Sequence, residues 1–319
     1  MNVPWLCVAA TSLVLGMPSC RSAVAPEGDG GVRLLGTLGM AVTYSVTTDG
    51  KVAYVANNDG VVVVDVNDPA HPERLATIPS ETAFGVSVHD GHAYVAADEK
   101  GLLIADVSDP RAPVVVGHLA TEGSATRLYS AGSRVYLADG GGLAIIDVSD
   151  PHSPHILGRA RTGGQGRAVA VVDNVAYVAD ISRGVVVVDV SDPASPELVE
   201  TVPGTSWAWA VHREGDRLYV GRHGHGAAVL DISDRRAPTL VGTYFDGGEA
   251  LGVWSAGDRF FVADNTDGVE ILDVSNPARP VKVASHPVGG VAHDLTSDGT
   301  LIYVAAAAEG LVILAPPAW

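Results

Sequence analysis

At 319 residues, 47% hydrophobic but only 6% aromatic, the chain can bury a sizeable core built from Val, Leu, Ile and Ala. Its formal net charge of −17 repels phosphate backbones and anionic lipid, which excludes nucleic acid and bare membrane as partners. The only cysteines are Cys7 and Cys20, so everything after residue 20 must hold together without a disulfide.

The N-terminus reads as an export signal. Residues 5–17 are apolar and almost uncharged, too short to span a bilayer comfortably, and followed by small residues. Met17-Pro-Ser-Cys20 resembles a bacterial lipoprotein signal, which makes residues 1–19 the signal peptide and Cys20 the lipidated first mature residue. Ala23-Val24-Ala25 offers an ordinary cleavage site instead, with a secreted or periplasmic product. Residues 20–31 then form a flexible Pro, Gly and acid tether, and the lipid anchor is the only expected membrane contact.

The first repeat follows. Residues 41–46 are an apolar run, Asp49-Gly50 signals a hairpin, and residues 52–56 are rich in β-formers. Asn57 to Gly60 turns again, residues 61–66 make a third strand, Asn67-Asp-Pro-Ala-His-Pro72 punctuates, and residues 74–78 make a fourth. No apolar stripe of helical period survives these turn signals.

The third-strand phrase ending in Asp65 recurs with ends at Asp106, Asp147, Asp189, Asp231 and Asp273. A seventh copy puts Ala315 at the Asp position, so successive spacings are 41 or 42 residues. A four-stranded antiparallel meander at that period is a propeller blade. One column of the second strand reads Tyr54, Tyr94, Tyr136, Tyr177, Tyr219, Phe261 and Tyr303. Eight residues earlier stands an aliphatic, and three before that a mostly small residue such as Ala83, Ala125, Ala208 or Ala292, so large faces nest on small ones. The Asp column is assigned to Asx turns that close the strand before Pro, not to a ring of metal ligands.

The seventh unit stops after three strands at Pro316. Leu34-Leu-Gly-Thr37 matches fourth strands elsewhere, Leu240-Val-Gly-Thr243 and Ile156-Leu-Gly158. Residues 32–319 are therefore expected to form an all-β, seven-bladed propeller whose last blade is closed by the N-terminal strand, a monomer with no open edge. The phrase G-[LV]-x-[IV]-[IVL]-D-V-S-[DN]-P, with A-Y-V-A some ten residues earlier, resembles the LVIVD-repeat family of bacterial β-propellers. The resemblance covers roughly residues 32–319 and implies an exported or surface-anchored propeller. Arg235 in place of Pro in the fifth unit and Ala315 in the seventh depart from the pattern and predict local turn variation.

Strand alternation places the Asp-Gly and Ser-Asp-Pro turns on one monotonous rim and the variable loops on the other, where binding sites are usually built. Near that variable rim the first strands carry Tyr44, Phe84, Thr126, Arg167, Trp209, Leu251 and His293, one per blade. The next positions include Arg127 and Asp294, with Trp207 and Glu249 nearby. This set reads either as a ligand pocket for a protein, peptide or glycan or as a plug in which Arg pairs with acid. The alternative function is a lyase or hydrolase using His293, Asp294 and Arg167 at the channel mouth. His223-Gly-His225 supplies two imidazoles without a third ligand, so no metal is assigned, and no cofactor is expected. Gly163-Gly-Gln-Gly166 has no following Lys-Ser/Thr or helix and reads as a turn. Ser87, His89 and Asp90 are neighbours on one strand and cannot converge as a triad.

Anchoring through Cys20 makes a direct prediction. Cys20→Ser should move the protein from the membrane fraction into soluble material, as measured by fractionation and immunoblot. An unchanged distribution would shift the assignment to cleavage near Ala25.

Overall fold

The computed structural model describes residues 31–317, so the signal segment, Cys20 and nearly all of the tether lie outside the described residues. Seven four-stranded antiparallel sheets stand around a central channel. Blade 1 is Thr43–Asp49, Val52–Asn57, Gly60–Asp65 and Glu73–Pro79; blade 2 is Gly85–His89, His92–Ala96, Leu102–Asp106 and Val114–Leu119. Blade 3 runs Arg127–Ala131, Arg134–Ala138, Gly142–Asp147 and His155–Arg161, and blade 4 runs Gly166–Val172, Val175–Asp180, Gly184–Asp189 and Glu197–Thr201. Blade 5 holds Ala208–Glu214, Arg217–Arg222, Gly226–Asp231 and Thr239–Tyr244. Blade 6 holds Gly252–Ala256, Arg259–Asp264, Gly268–Asp273 and Val281–His286. Blade 7 is composite: Asp294–Ser297, Ile302–Ala306, Gly310–Ala315 and, from the other end of the chain, Arg33–Leu38.

The closing strand pairs antiparallel with the C-terminal strand, Leu34 opposite Leu314 and Leu38 opposite Leu311, with a register shift between Leu34 and Gly36. Fourth strands elsewhere carry the same shift, opposite Ile145 and Ile146 of the third strand in blade 3 and opposite Val229 and Leu230 in blade 5. There is a steric reason for the glycine at this point. A Cβ on Gly36 would sit 2.3 Å from the Pro69 carbonyl of the next blade, just as one on Gly158 would sit 2.3 Å from the Pro193 carbonyl. The fourth strand of each such blade lies against the Asp-Pro turn of its neighbour, and only glycine permits that approach.

Each inter-blade layer is a dry core. The layer between blades 7 and 1 gathers Val46, Val55, Val62 and Val64 against Tyr303, Leu311 and Ile313, with Leu35 and Leu38 of the closing strand at its edge. Between blades 1 and 2, Tyr54 and Val63 meet Ala83, Val86 and Val95. Third strands such as Val61 to Val64 are buried on both faces, which is why their sequence is apolar at successive positions. Burying a Val or Leu side chain contributes about 1.5–3 kcal/mol, so these layers are the main source of stability.

The Asp column closes the turns as expected. Asp65, Asp106, Asp147, Asp189, Asp231 and Asp273 each accept the backbone N–H two residues on, at 2.8–2.9 Å. Those bonds hold the Asp65 and Asp106 carboxyls below the usual range. Arg235 replaces the turn Pro because it bridges blades, reaching Asp173 at 3.0 Å and Asp216 at 2.8 Å.

Candidate functional site

The side chains ringing the channel mouth are aimed by irregularities at the start of the first strands. Tyr44, Arg167 and Trp209 each occupy the unpaired position of a register shift, between Thr43 and Ser45, Gly166 and Ala168, and Ala208 and Ala210. An extra residue at that point turns its side chain out of the inter-blade layer and toward the axis. Phe84, Thr126, Leu251 and His293 stand just ahead of the strand proper, each donating its N–H to the second strand of its own blade. The seven line a cavity of about 410 Å³ together with Arg127, His223, Glu249, Asn265 and Val291.

The two Arg side chains that the sequence places at the mouth differ in their partners. Arg127 forms an ion pair with Asp294 across the channel and also donates to the Tyr44 carbonyl at 3.0 Å, while Ser45 donates to Asp294 at 2.8 Å. This latch separates the mouth from an inner channel cavity of about 280 Å³, lined by the first strands and holding His212 against Trp254. Burial, with Arg213 nearby, pushes the His212 imidazole down to about 4, so it is neutral at physiological pH. Arg167 makes no such pair. Its guanidinium lies 4.2 Å from the Trp209 ring centroid, and among the described residues no acid pairs with it. Burial and the nearby Arg127 charge pull it down to about 10, which leaves it a full but poorly solvated cation at neutral pH.

Aromatic rings form the apolar wall. Tyr44 meets Phe84 edge-on at 4.9 Å and stacks on the His293 ring at 5.5 Å. Glu249 is held by Asn265 and lies 3.4 Å from His223, whose ring packs on Trp209 at 5.1 Å. Trp207 departs from the expected mouth: it is 47% exposed, has a positive φ of 64°, and stacks on His225 outside the cavity. Two positions separate it from Trp209, and the register shift at Trp209 breaks the alternation that would otherwise put both rings on one face. His223 and His225 therefore face different partners and do not converge on one point. The Asp294 carboxylate is taken up by Arg127 and Ser45, and the His293 ring by the Thr43 carbonyl at 2.6 Å. The trio of the enzyme alternative, His293, Asp294 and Arg167, is thus not assembled around a common atom.

A second polar cluster went unread in the sequence. Asp246, Asp264 and Glu270, with ligand-capable oxygens within 4.8 Å of one another, meet at the rim of blade 6. Lys282 bridges Asp246 and Glu270 at 2.8 Å each, and Tyr244 donates to Asp246 at 2.8 Å. The signal was visible: Glu270 interrupts a third-strand column otherwise made of Val62, Leu103, Ala144, Val186, Ala228 and Val312. In blade 4 the corresponding acid, Asp180, receives the Thr162 hydroxyl, whereas Asp264 faces the like charge of Asp246. Burial and the Asp246 charge push Asp264 up to about 6, while burial and a hydrogen bond with Asp246 push Glu270 up to about 7. Hydrogen bonds with Glu270, Lys282 and Tyr244 hold Asp246 well below the usual range against its own burial.

The comparisons with known proteins fit this architecture. The family model of the LVIVD repeat matches residues 42–76, 82–121, 122–162, 163–203, 207–246 and 247–286. A search of the curated proteins finds no match. Among solved structures, the β-propeller domain of Cps50 (Swd1) from Myceliophteria thermophila superposes with a TM-score of 0.73 at 11% identity, covering 90% of this chain and 100% of that one. The computationally designed Ika8 protein superposes with a TM-score of 0.67 at 10% identity, covering 89% and 99%. At such identities both likenesses concern the fold alone.

The blade 6 cluster predicts a pH dependence with a definite sign. Well below pH 3.8 Asp264 is protonated in both states and has no effect on stability. Between 3.8 and about 6 the unfolded chain ionises while the folded one keeps its proton, so stability falls and the full cost stands above 6. That shift corresponds to on the order of 3 kcal/mol. Asp264→Asn should raise the melting temperature at pH 8 by on the order of 5 °C, with the gain shrinking toward pH 4. A gain that is absent, or equal at both pH values, would contradict the assignment.

Proposed function

This chain belongs to the LVIVD repeat family, and on that premise we propose that it is a non-catalytic binding module whose ligand docks at the channel mouth and variable rim. In this proposal the propeller is exported and held at the cell surface through Cys20, and its ligand is a protein, peptide or glycan. A propeller of these repeats is an interaction scaffold: seven near-identical blades present seven unlike side chains at one end. The observation that carries the reading is the mouth cavity of about 410 Å³, whose lining includes those seven residues, among them the rings of Tyr44, Phe84 and Trp209. Ligand pockets are typically ~300–1,000 Å³, apolar with a few fixed polar groups, and this one matches in size and make-up. The engagement of Asp294 by Arg127 and of His293 by Thr43 weighs against the lyase or hydrolase alternative.

The test is a thermal-shift screen of the full-length protein against defined peptides and glycans. A ligand at a hundred times its Kd stabilises the folded state by about 2.7 kcal/mol, which is readily detected. At least one class should raise the melting temperature, and Phe84→Ala with Trp209→Ala should abolish that shift while the variant still melts cooperatively. A shift that survives the double substitution would place the site elsewhere. Turnover of a bound compound would return the enzyme reading.

A further inference from the structure

One charged side chain in the mouth cavity is left without a partner. Of the Arg and Glu side chains lining it, Arg127 is paired with Asp294, and Glu249 is held by Asn265 and His223. Arg167 is the remaining cation, and among the described residues its guanidinium has neither an acid nor a hydrogen-bond acceptor. Its contact with Trp209 satisfies charge through the ring face but leaves the planar fork of N–H donors unused. A half-buried guanidinium in that condition is prepared for an anion that arrives with the ligand.

We infer that Arg167 anchors the carboxylate of a monoanionic ligand whose apolar, planar portion lies against Tyr44, Phe84 and Trp209. The inference rests on the proposed mouth site. A single unpaired cation balances a single negative charge, and the guanidinium fork matches a planar carboxylate with two parallel bonds. A phosphate dianion would bring a second charge into a cavity that already holds the Glu249 carboxylate. Leu251 and Val291 complete an apolar lining that suits an aromatic ring. A free aromatic acid and the C-terminal residue of a peptide share this chemistry.

Titration calorimetry on the full-length protein separates these cases. The probes are 3-phenylpropionate, its primary amide, a short peptide ending in phenylalanine, and that peptide's C-terminal amide. At least one acid should bind tenfold or more tightly than its own amide, and the member showing the preference identifies the source as free acid or chain end. Arg167→Gln should erase the preference with an unchanged circular dichroism melt, and Arg167→Lys should restore only part of it. Equal binding of acid and amide to the wild type, or a preference that survives Arg167→Gln, overturns the inference. If that equal binding disappears in Trp209→Ala, the mouth remains the site and only the carboxylate anchor falls. Should none of the four probes bind, the carboxylate inference fails, and the peptide and glycan screen alone then decides whether the mouth is a site.

Discussion

The pairing of Arg33–Leu38 with Gly310–Ala315 is the constraint on which the rest of the molecule depends. A ring of blades with no disulfide has only packing and backbone hydrogen bonds to hold its first and last members together. Without the N-terminal strand the third strand of blade 7 would present a bare row of N–H and C=O groups, a template for pairing with another chain. With it, Leu35 and Leu38 cover the edge of the layer between blades 7 and 1, and Gly36 settles onto the Pro69 turn. The contact joins residues almost the full described length apart. Its loop-closure cost must be met before the strand pairing returns anything, so closure is a property of the complete ring.

That closure reaches the mouth directly. Blade 7 supplies His293 and Asp294, and Asp294 is the acid that locks Arg127 of blade 3 across the channel. If blade 7 shifted, the latch would lose its carboxylate, the floor of the cavity would open into the inner channel, and Tyr44 would lose the ring it stacks on. Gly85 and Gly252 belong to the same design. A Cβ on Gly252 would sit 2.6 Å from the Asp294 Cα, and one on Gly85 would sit 2.7 Å from the Thr126 carbonyl. Small neighbours let the two charged strands come close enough for their side chains to meet over the axis.

The fold was legible because every blade repeats the same physical solution. The aromatic column, the small residues facing it and the doubly dry third strand each recur, so one unit can be checked against six others. The mouth was legible only as a list of positions. Arg127 and Arg167 look alike in sequence, yet one is neutralised by Asp294, 167 residues away, and the other is left with an indole. No local pattern reports a partner that ring geometry brings in from another blade. Trp207 and Trp209 are likewise separated by a strand irregularity that composition does not reveal. The blade 6 acids differ in kind, because Glu270 broke an aliphatic column in plain view, and only burial gives that break its meaning.

Native-state hydrogen exchange tests the closure most directly, residue by residue along the N-terminal strand. Exchange from a strand that belongs to the ring requires opening of the ring, whereas a frayed terminus opens at almost no cost. The backbone amides of Arg33–Leu38 that face Gly310–Ala315 should exchange as slowly as those of other fourth strands, such as Thr239–Tyr244. Protection at the level of a free chain end, with the other fourth strands still protected, would mean that the ring is not closed by its N-terminus and that the mouth is not held as described.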